Sequence, residues 1–292
     1  MKKTLADRFE EQRPRLVRLA YGQLGSLAEA EDVVQDAWLR LQRVDPDEIR
    51  ELEGWLTTVV SRLALDALRS ARVRREAYPG PWLPEPVLQE PGPEARAEQA
   101  EDLSLALLVV LESLSASERI AFVLHDVFGY SFDDVSDALG TSSGSARQHA
   151  SRARKAVEAR RPRFPATPAQ QHDVVAAFGQ AARGGDIDAL LELLHPDVVF
   201  TSDGGGRVNA ARKPIEGADR VARLSKALWT RSDAGATYEI FDVNGMPGYL
   251  GLGADGVVTV MSFTVDDGRI VAIDVQRNPE KLRTVPRGDM TD

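Results

Sequence analysis

The side chains best suited to nucleic-acid chemistry lie between Ser143 and Lys155: Ser143, Arg147, Gln148, Ser151, Arg152, Arg154 and Lys155. Arginine and glutamine can form paired hydrogen bonds with base edges in a major groove, while further basic residues suit phosphates. The spacing therefore points to Arg147 and Gln148 as base readers, and to Arg152, Arg154 and Lys155 as phosphate or flanking contacts. A second basic cluster contains Arg62, Arg69, Arg72, Arg74 and Arg75. It could complement a helix C-terminus, but five cations exceed that need, so phosphate contact is the better reading. A third set is acidic and polar: Glu31, Asp32, Gln35, Asp36 and Arg40, with Trp38 and Leu39 beside it. By spacing alone these residues make one solvated helix face.

Acid–base chemistry has two candidates, Asp203 and His195. Either could serve as general base in a pocket. His195-Pro196-Asp197, however, reads as a helix end entering a strand, and Asp203 opens the run Asp203-Gly204-Gly205-Gly206-Arg207. Three consecutive glycines indicate positive φ or a backbone crowded by a neighbour. They make a poor phosphate cradle, since no helix start with Lys-Ser/Thr follows. The chain has no cysteine, and its four histidines form no HExxH pair. No metal site and no cofactor are expected, and an enzyme is the lesser reading.

Three helices must position the basic residues of the first set. One opens at a Ser115/Glu118 capping box and runs through Ile120, Val123, Leu124 and Val127 to Gly129. The next opens at Ser131 with Asp134 and ends at Gly140; the third carries the arginines out to Arg160 and Arg161. Two short helices around a Gly-containing turn, the second rich in Arg, form a helix-turn-helix that sets a helix end in the major groove. A solvated basic face is the alternative. The small residues Gly144, Ser145, Ala146, Ala150 and Ala153 favour close approach to a partner.

The chain of 292 residues is acidic overall, with 36 basic and 45 acidic residues and a net charge of -9. An indiscriminate nucleic-acid coat is thereby excluded. An acidic protein with two basic patches suits a DNA binder that does not engage DNA freely by itself. The N-terminus turns acidic before any apolar core, which is unlike a signal peptide. The apolar run Leu103 to Leu111 is too short to cross a bilayer. A cytoplasmic protein with no membrane contact is expected.

The pattern divides the chain into parts. Residues 1–77 read as helical, with a stripe of Leu16, Leu19, Ala20 and Leu24, a helix from Ser26/Glu29 through Leu41, a loop at Asp45-Pro46-Asp47, and a helix from Trp55 to Leu68. Residues 78–100 are a linker in which Pro79, Pro81, Pro84, Pro86, Pro91 and Pro93 forbid helix and strand alike. Its Trp82-Leu83 pair has no use in a purely solvated spacer, so the linker is expected to dock on something. Residues 101–163 hold the helix-turn-helix. Residues 168–284 read as α+β, with helices near 168–183, 186–194 and 217–230 and strands near 196–202, 236–243, 248–253, 256–265 and 269–276. Asp267-Gly268 marks a hairpin, and helices followed by antiparallel strands imply a curved sheet wrapped on helices.

Residues 1 to about 160 resemble the sigma-70 family, in particular the extracytoplasmic-function sigma factors. Ala30-Glu31-Asp32-Val33-Val34-Gln35-Asp36-Ala37-Trp38-Leu39-Arg40 is similar to the helix that docks on the clamp of RNA polymerase. Trp55-Leu56, then Leu65-Asp66-Ala67-Leu68-Arg69 and the Arg run, resembles the helix that melts and reads the minus-10 element. Trp55 is then core or wedge. Ser117 to Lys155 resembles the minus-35 reader, with Glu118-Arg119 and Ser151-Arg152-Ala153-Arg154 in place. One position departs: many relatives carry Asn seven residues after the Trp, where this chain has Arg62. The C-terminal part resembles the SnoaL-like branch of the nuclear-transport-factor-2-like fold. Trp82-Leu83-Pro84-Glu85-Pro86, Asp203-Gly204-Gly205-Gly206-Arg207 and Asn278-Pro279-Glu280-Lys281-Leu282 are similar to motifs of the sigma factors that carry such a domain. The resemblance implies two all-α modules followed by an α+β cone, a monomer that binds core RNA polymerase and promoter DNA, and regulation in cis by the cone, whose pocket could take a small ligand. A DNA-binding activator, or a SnoaL-fold isomerase or hydrolase fused to a DNA-binding module, is the alternative.

Overall fold

The computed structural model describes residues 4–45, 48–89, 103–160, 162–232, 237–253, 258–283 and 285. Expectations at Pro46 and Asp47, Pro91 and Pro93, Arg161, residue 236, and residues 256–257 lie outside them. The chain folds as two compact bodies, residues 1–76 with 110–160, and residues 77–109 with 161–292. The linker thus belongs to the C-terminal body.

In the first body, α1 (Leu5–Leu24) opens on a Thr4/Asp7 capping box and stops at Gly25, whose φ of 71° a side chain would resist. α2 (Leu27–Leu41) starts where Ser26 Oγ accepts the Glu29 N–H at 3.3 Å. It buries Ala30, Val33, Val34, Ala37 and Leu41, a stripe at helical spacing. α3 (Leu52–Glu76) follows. Leu16, Leu19, Leu24, Val34, Leu41, Leu56 and Val60 form the core among these helices.

Beyond α4 (Leu105–Leu111), α5 (Ala116–Phe122) opens on the expected Ser115/Glu118 box. Its last turn differs from expectation: Val123–Val127 form a π turn, with the Phe128 N–H on the Val123 carbonyl at 3.1 Å. Such turns insert one residue and re-aim the chain. α6 (Phe132–Leu139) runs from its Ser131/Asp134 box to Gly140, and α7 (Ser143–Glu158) is capped by Ser142. Ala146, Ala150 and Ala153 are fully buried. Their small size lets α7 pack against its own domain, and the expectation that they open the backbone to a partner is corrected; Gly144 alone of that set is exposed.

The second body holds α8 (Pro168–Gly184), α9 (Ile187–Leu193), β2 (Leu194–Asp203), β3 (Ile215–Glu216), α10 (Ala218–Ser232), β4 (Thr237–Val243), β5 (Met246–Leu252), β6 (Val258–Asp266) and β7 (Arg269–Gln276). With β1 (Leu88–Gln89) the sheet order is β1-β4-β5-β6-β7-β2-β3, and only β2 and β7 pair in parallel. β1 corrects the expectation that the proline-rich run excludes strand. Val87-Leu88-Gln89 is free of proline, and it adds two residues to the sheet edge, where one-sided pairing suffices. Asp267 and Gly268 both have positive φ, 49° and 72°, as the hairpin between β6 and β7 requires.

One face of the sheet is packed with rings. Trp229 stacks on Tyr238 at 4.7 Å and meets Tyr249 edge-on at 5.2 Å, while Phe178 meets Phe263 at 5.2 Å. Gly179 makes room for this cluster, since a Cβ there would stand 2.0 Å from the Tyr249 hydroxyl. Strand alternation puts Thr201, Asp203, Ser262, Asp274 and Gln276 on the opposite face.

Candidate functional site

That opposite face carries a buried polar clamp around Asp203, which is fully buried at the end of β2. Its Oδ1 accepts the Tyr78 hydroxyl at 2.7 Å and the Gly205 N–H at 3.0 Å. Its Oδ2 accepts the Leu83 N–H at 3.0 Å, Gln276 Nε2 at 3.3 Å and Lys281 Nζ at 2.7 Å. Lys281 Nζ also donates to the Leu83 carbonyl at 2.6 Å and lies 3.8 Å from the centre of the Trp82 ring. A desolvated ammonium over an indole face adds a cation–π attraction to the ion pair. Gln276 Nε2 reaches the carbonyls of Leu83 and Pro84, each at 3.2 Å. Leu83, Pro84, Glu85 and Pro86 are buried, and Trp82 is half-buried.

The glycines and the final motif complete the clamp. Gly205 has φ 62°, and a Cβ on it would stand 2.5 Å from the Asn278 amide; a Cβ on Gly206 would meet Pro79 at 2.7 Å. Gly204 is crowded in the same way, since a Cβ there would lie 2.5 Å from the Val208 carbonyl oxygen. Asn278 Nδ2 donates to the Tyr78 hydroxyl at 2.9 Å, and its Oδ1 accepts the Glu280 N–H. Arg207 pairs with Glu280 at 2.9 Å. Leu282 is buried, whereas Pro279 lies exposed at the turn. Burial first, and the Asp203 carboxylate second, push the Tyr78 phenol above its ordinary range. The structure therefore brings together three motifs that are far apart in sequence. Tyr78 and Gln276 are members that sequence reasoning does not single out; a polar Gln closing an apolar strand is the signal that could find the second. At the far end of the linker, Asn244 binds Val87 in both directions, at 2.8 and 2.9 Å.

The two acid–base candidates are not joined. The Asp203 oxygens are taken up by structural donors, and His195 Nδ1 accepts the Asp197 N–H at 3.2 Å. A different carboxyl on this face is perturbed: burial pushes Asp274 up to about 7, against a hydrogen bond from Thr201. Its folded form holds the proton more tightly than the unfolded chain. That contribution is fully present below about pH 4 and is lost as pH rises toward 7, with a slope of up to about 1.4 kcal/mol per unit. Asp274→Asn is expected to remove this part of the pH dependence. The parent chain should therefore lose stability relative to the variant between pH 4 and 7, and the difference should then level. Denaturant melts at several pH values check it.

In the first body, Glu31, Asp32, Gln35, Asp36 and Arg40 are exposed on α2, and Leu39 is 44% exposed beside them. On α3, Trp55 is half-buried and Arg62 and Arg69 are exposed. The side chains of Arg72 and Arg74 lie outside what the structure describes. Arg75 is placed differently from expectation: it pairs with Glu112, which also pairs with the buried Arg119, and it donates to the Leu24 carbonyl at 3.2 Å. Burial pulls its pKa down. It is committed within the fold here instead of facing phosphates.

On α7, Arg147, Gln148, Ser151, Arg152 and Lys155 are exposed. Arg147 lies 5.2 Å over the Phe132 ring, and Ser143 donates to Asp133 across the turn. Arg152 pairs with Glu118 at 3.1 Å, and Arg154 with Asp126. No helix among the described residues is long and apolar enough to cross a membrane.

Two all-α modules, the second a helix-turn-helix, and a C-terminal helix-and-sheet domain that holds residues 78–89 are the architecture of a sigma factor with a SnoaL-like domain. The model of sigma-70 region 2 matches residues 8–74, and that of sigma-70 region 4 matches residues 104–157. The chain is 43% identical over 291 residues to the ECF RNA polymerase sigma factor SigJ of Mycobacterium tuberculosis, covering 95% of this chain and 93% of that one. It is 34% identical over 272 residues to the probable ECF RNA polymerase sigma factor SigI of the same species, covering 91% of each. The crystal structure of Mycobacterium tuberculosis SigJ superposes with a TM-score of 0.80 at 38% identity, covering 96% of this chain and 99% of that one. The chain belongs to the extracytoplasmic-function sigma factors of the sigma-70 family. It is a promoter-directing initiation factor and not an enzyme; members of this family bind core RNA polymerase and promoter DNA.

Proposed function

We propose that residues 1–77 bind core polymerase and the minus-10 element, that residues 101–163 read the minus-35 element, and that residues 168–284 regulate both through the linker at 78–100. The observation that carries this reading is the Asp203 clamp, which ties Tyr78 and Leu83 of the linker to the C-terminal domain. A linker held in this way restricts the separation that the two promoter-reading modules can adopt. The α2 face Glu31, Asp32, Gln35, Asp36, Leu39 and Arg40 is the polymerase surface. Trp55, Arg62, Arg69, Arg72 and Arg74 serve the minus-10 side, and Ser143, Arg147, Gln148, Ser151, Arg152 and Lys155 the minus-35 side. The free chain acts as a cytoplasmic monomer.

A small ligand of the C-terminal domain is better placed beside the clamp than inside the cone, where Trp229, Tyr249 and Phe263 fill the space. The cleft there has a volume of about 800 Å³ and is lined by Pro79, Ser202, Gly206, Arg207, Asn209 and Arg212 among others. Arg212, with Arg207 that also pairs with Glu280, suits an anionic group there.

Base readout gives the test. Arg147→Ala is expected to cost about 1–3 kcal/mol at one position of the minus-35 element and little elsewhere. Lys155→Ala is expected to weaken all sequences alike and to lower the salt dependence. Binding to a library of single-base promoter variants separates the two. A uniform loss with Arg147→Ala would show that its role is positional.

A further inference from the structure

Within the first body, the helix-turn-helix packs against the helices of residues 1–76, and the contacts between them include Arg18 over the Phe128 ring and three further polar sets. Arg62, on the exposed side of α3, donates from Nε and Nη2 to the Asp137 carbonyl at 3.2 and 2.7 Å. Asp137 lies in the last turn of α6, where its carbonyl accepts the capping Gly140 N–H at a long 3.4 Å and the negative end of the helix dipole attracts a guanidinium. The second contact is the Tyr130 hydroxyl. It lies 3.0 Å from Thr57 Oγ1 of α3 and accepts from Arg15 Nη1 of α1, while Arg15 Nη2 also binds Thr57 Oγ1 at 3.1 Å. Tyr130 is held in place from its own side: its N–H donates to the Leu124 carbonyl at 2.9 Å, and its carbonyl meets His125 Nδ1 at 2.7 Å. The π turn at Val123–Val127 and the positive φ of Gly129 aim the ring outward. The third contact is the Arg75–Glu112–Arg119 ion triad.

We propose that Arg62 and Tyr130 form a latch that closes the helix-turn-helix onto the minus-10-reading helix, so that Arg62 is occupied by the Asp137 carbonyl until the modules separate. This inference rests on the sigma-factor reading, which places Arg62 on the promoter side, and deepens it to a means of control. One guanidinium cannot donate the same N–H groups to the Asp137 carbonyl and to a DNA base. The latch and the minus-10 element therefore compete for it. Asn at this position, the residue that many relatives carry, is too short to reach the carbonyl as Arg62 does. The individual hydrogen bonds are modest and partly exposed, which keeps the closure reversible. A partner that binds the separated modules opens it by population shift.

The absence of cysteine makes the test direct, because Glu10→Cys and Glu158→Cys place two unique dye sites on exposed positions of α1 and α7. Single-molecule energy transfer on the full chain reads the closed and open populations. Tyr130→Phe keeps the ring and removes only the hydroxyl, with its contacts to Thr57 and Arg15; it is expected to raise the open-to-closed ratio about five- to thirtyfold, the range that loss of one to two hydrogen bonds makes. Arg62→Asn is expected to do the same, and the two together to exceed either. Core polymerase is expected to convert the intact chain to the open population. Circular dichroism melts of each variant establish that it folds. Folded variants with the parent population, alongside normal holoenzyme formation, would overturn the latch and leave the sigma-factor reading intact. Failure of the intact chain to form holoenzyme would instead overturn the reading beneath it.

Discussion

Asp203→Ala is expected to release residues 78–86 from the C-terminal domain and to destabilise that domain by about 3–5 kcal/mol. The carboxylate is fully buried and accepts from five groups, Tyr78, Leu83, Gly205, Gln276 and Lys281. Its removal leaves Lys281, with a side chain only 12% exposed, as an uncompensated buried cation. Breaking one partner of such a pair costs more than the pair itself contributes, because the remaining charge keeps its desolvation penalty. Asp203→Asn retains some acceptor capacity and should fall between. Amide exchange at Leu83 and Lys281→Met provide independent readings: the first should lose protection in Asp203→Ala, and the second should restore part of the stability in the double variant. Unchanged Leu83 protection with an unchanged melting midpoint would show that the clamp contributes little.

The second large effect is expected at α2. Lysine at both Asp32 and Asp36 reverses two charges on an exposed face. The stripe of Ala30, Val33, Val34, Ala37 and Leu41 that anchors the helix is untouched. Melting temperature should therefore change by no more than a surface substitution typically causes. Holoenzyme formation should fall at least about a hundredfold, since a partner surface that matches the acidic pair would then meet like charges, which cost several kcal/mol. Native gels with core polymerase, with circular dichroism as a folding control, measure it. A double-lysine chain that still assembles would move the polymerase surface elsewhere.

Much of the fold is legible in the sequence because local signals agree. Ser115/Glu118 and Ser131/Asp134 cap the helices that their spacing predicts, and Asp267-Gly268 makes the turn its residue types require. The Trp82-Leu83 anomaly also points correctly to docking, since Leu83 is 2% exposed. Legibility ends where tertiary packing decides. Arg75 reads as one more member of a basic run, and only the approach of Glu112 commits it to the interior. Ala146, Ala150 and Ala153 read as available to a partner, although an alanine stripe serves equally for close packing within a domain. β1 and β3 are two residues each, too short to leave a periodicity. Tyr78 and Gln276 join the clamp through pairings more than 70 residues apart in sequence, which no local pattern encodes.

The most direct measurement of the central claim is run-off transcription by purified core RNA polymerase, with and without the full chain, on a pool of promoter templates. A sigma factor with these surfaces is expected to yield transcripts that depend on the added chain, start at a fixed distance from a common pair of upstream elements, and disappear when Asp32 and Asp36 are both lysine. Transcription unchanged by the chain on every template, with no co-elution of the chain and core polymerase, would contradict it.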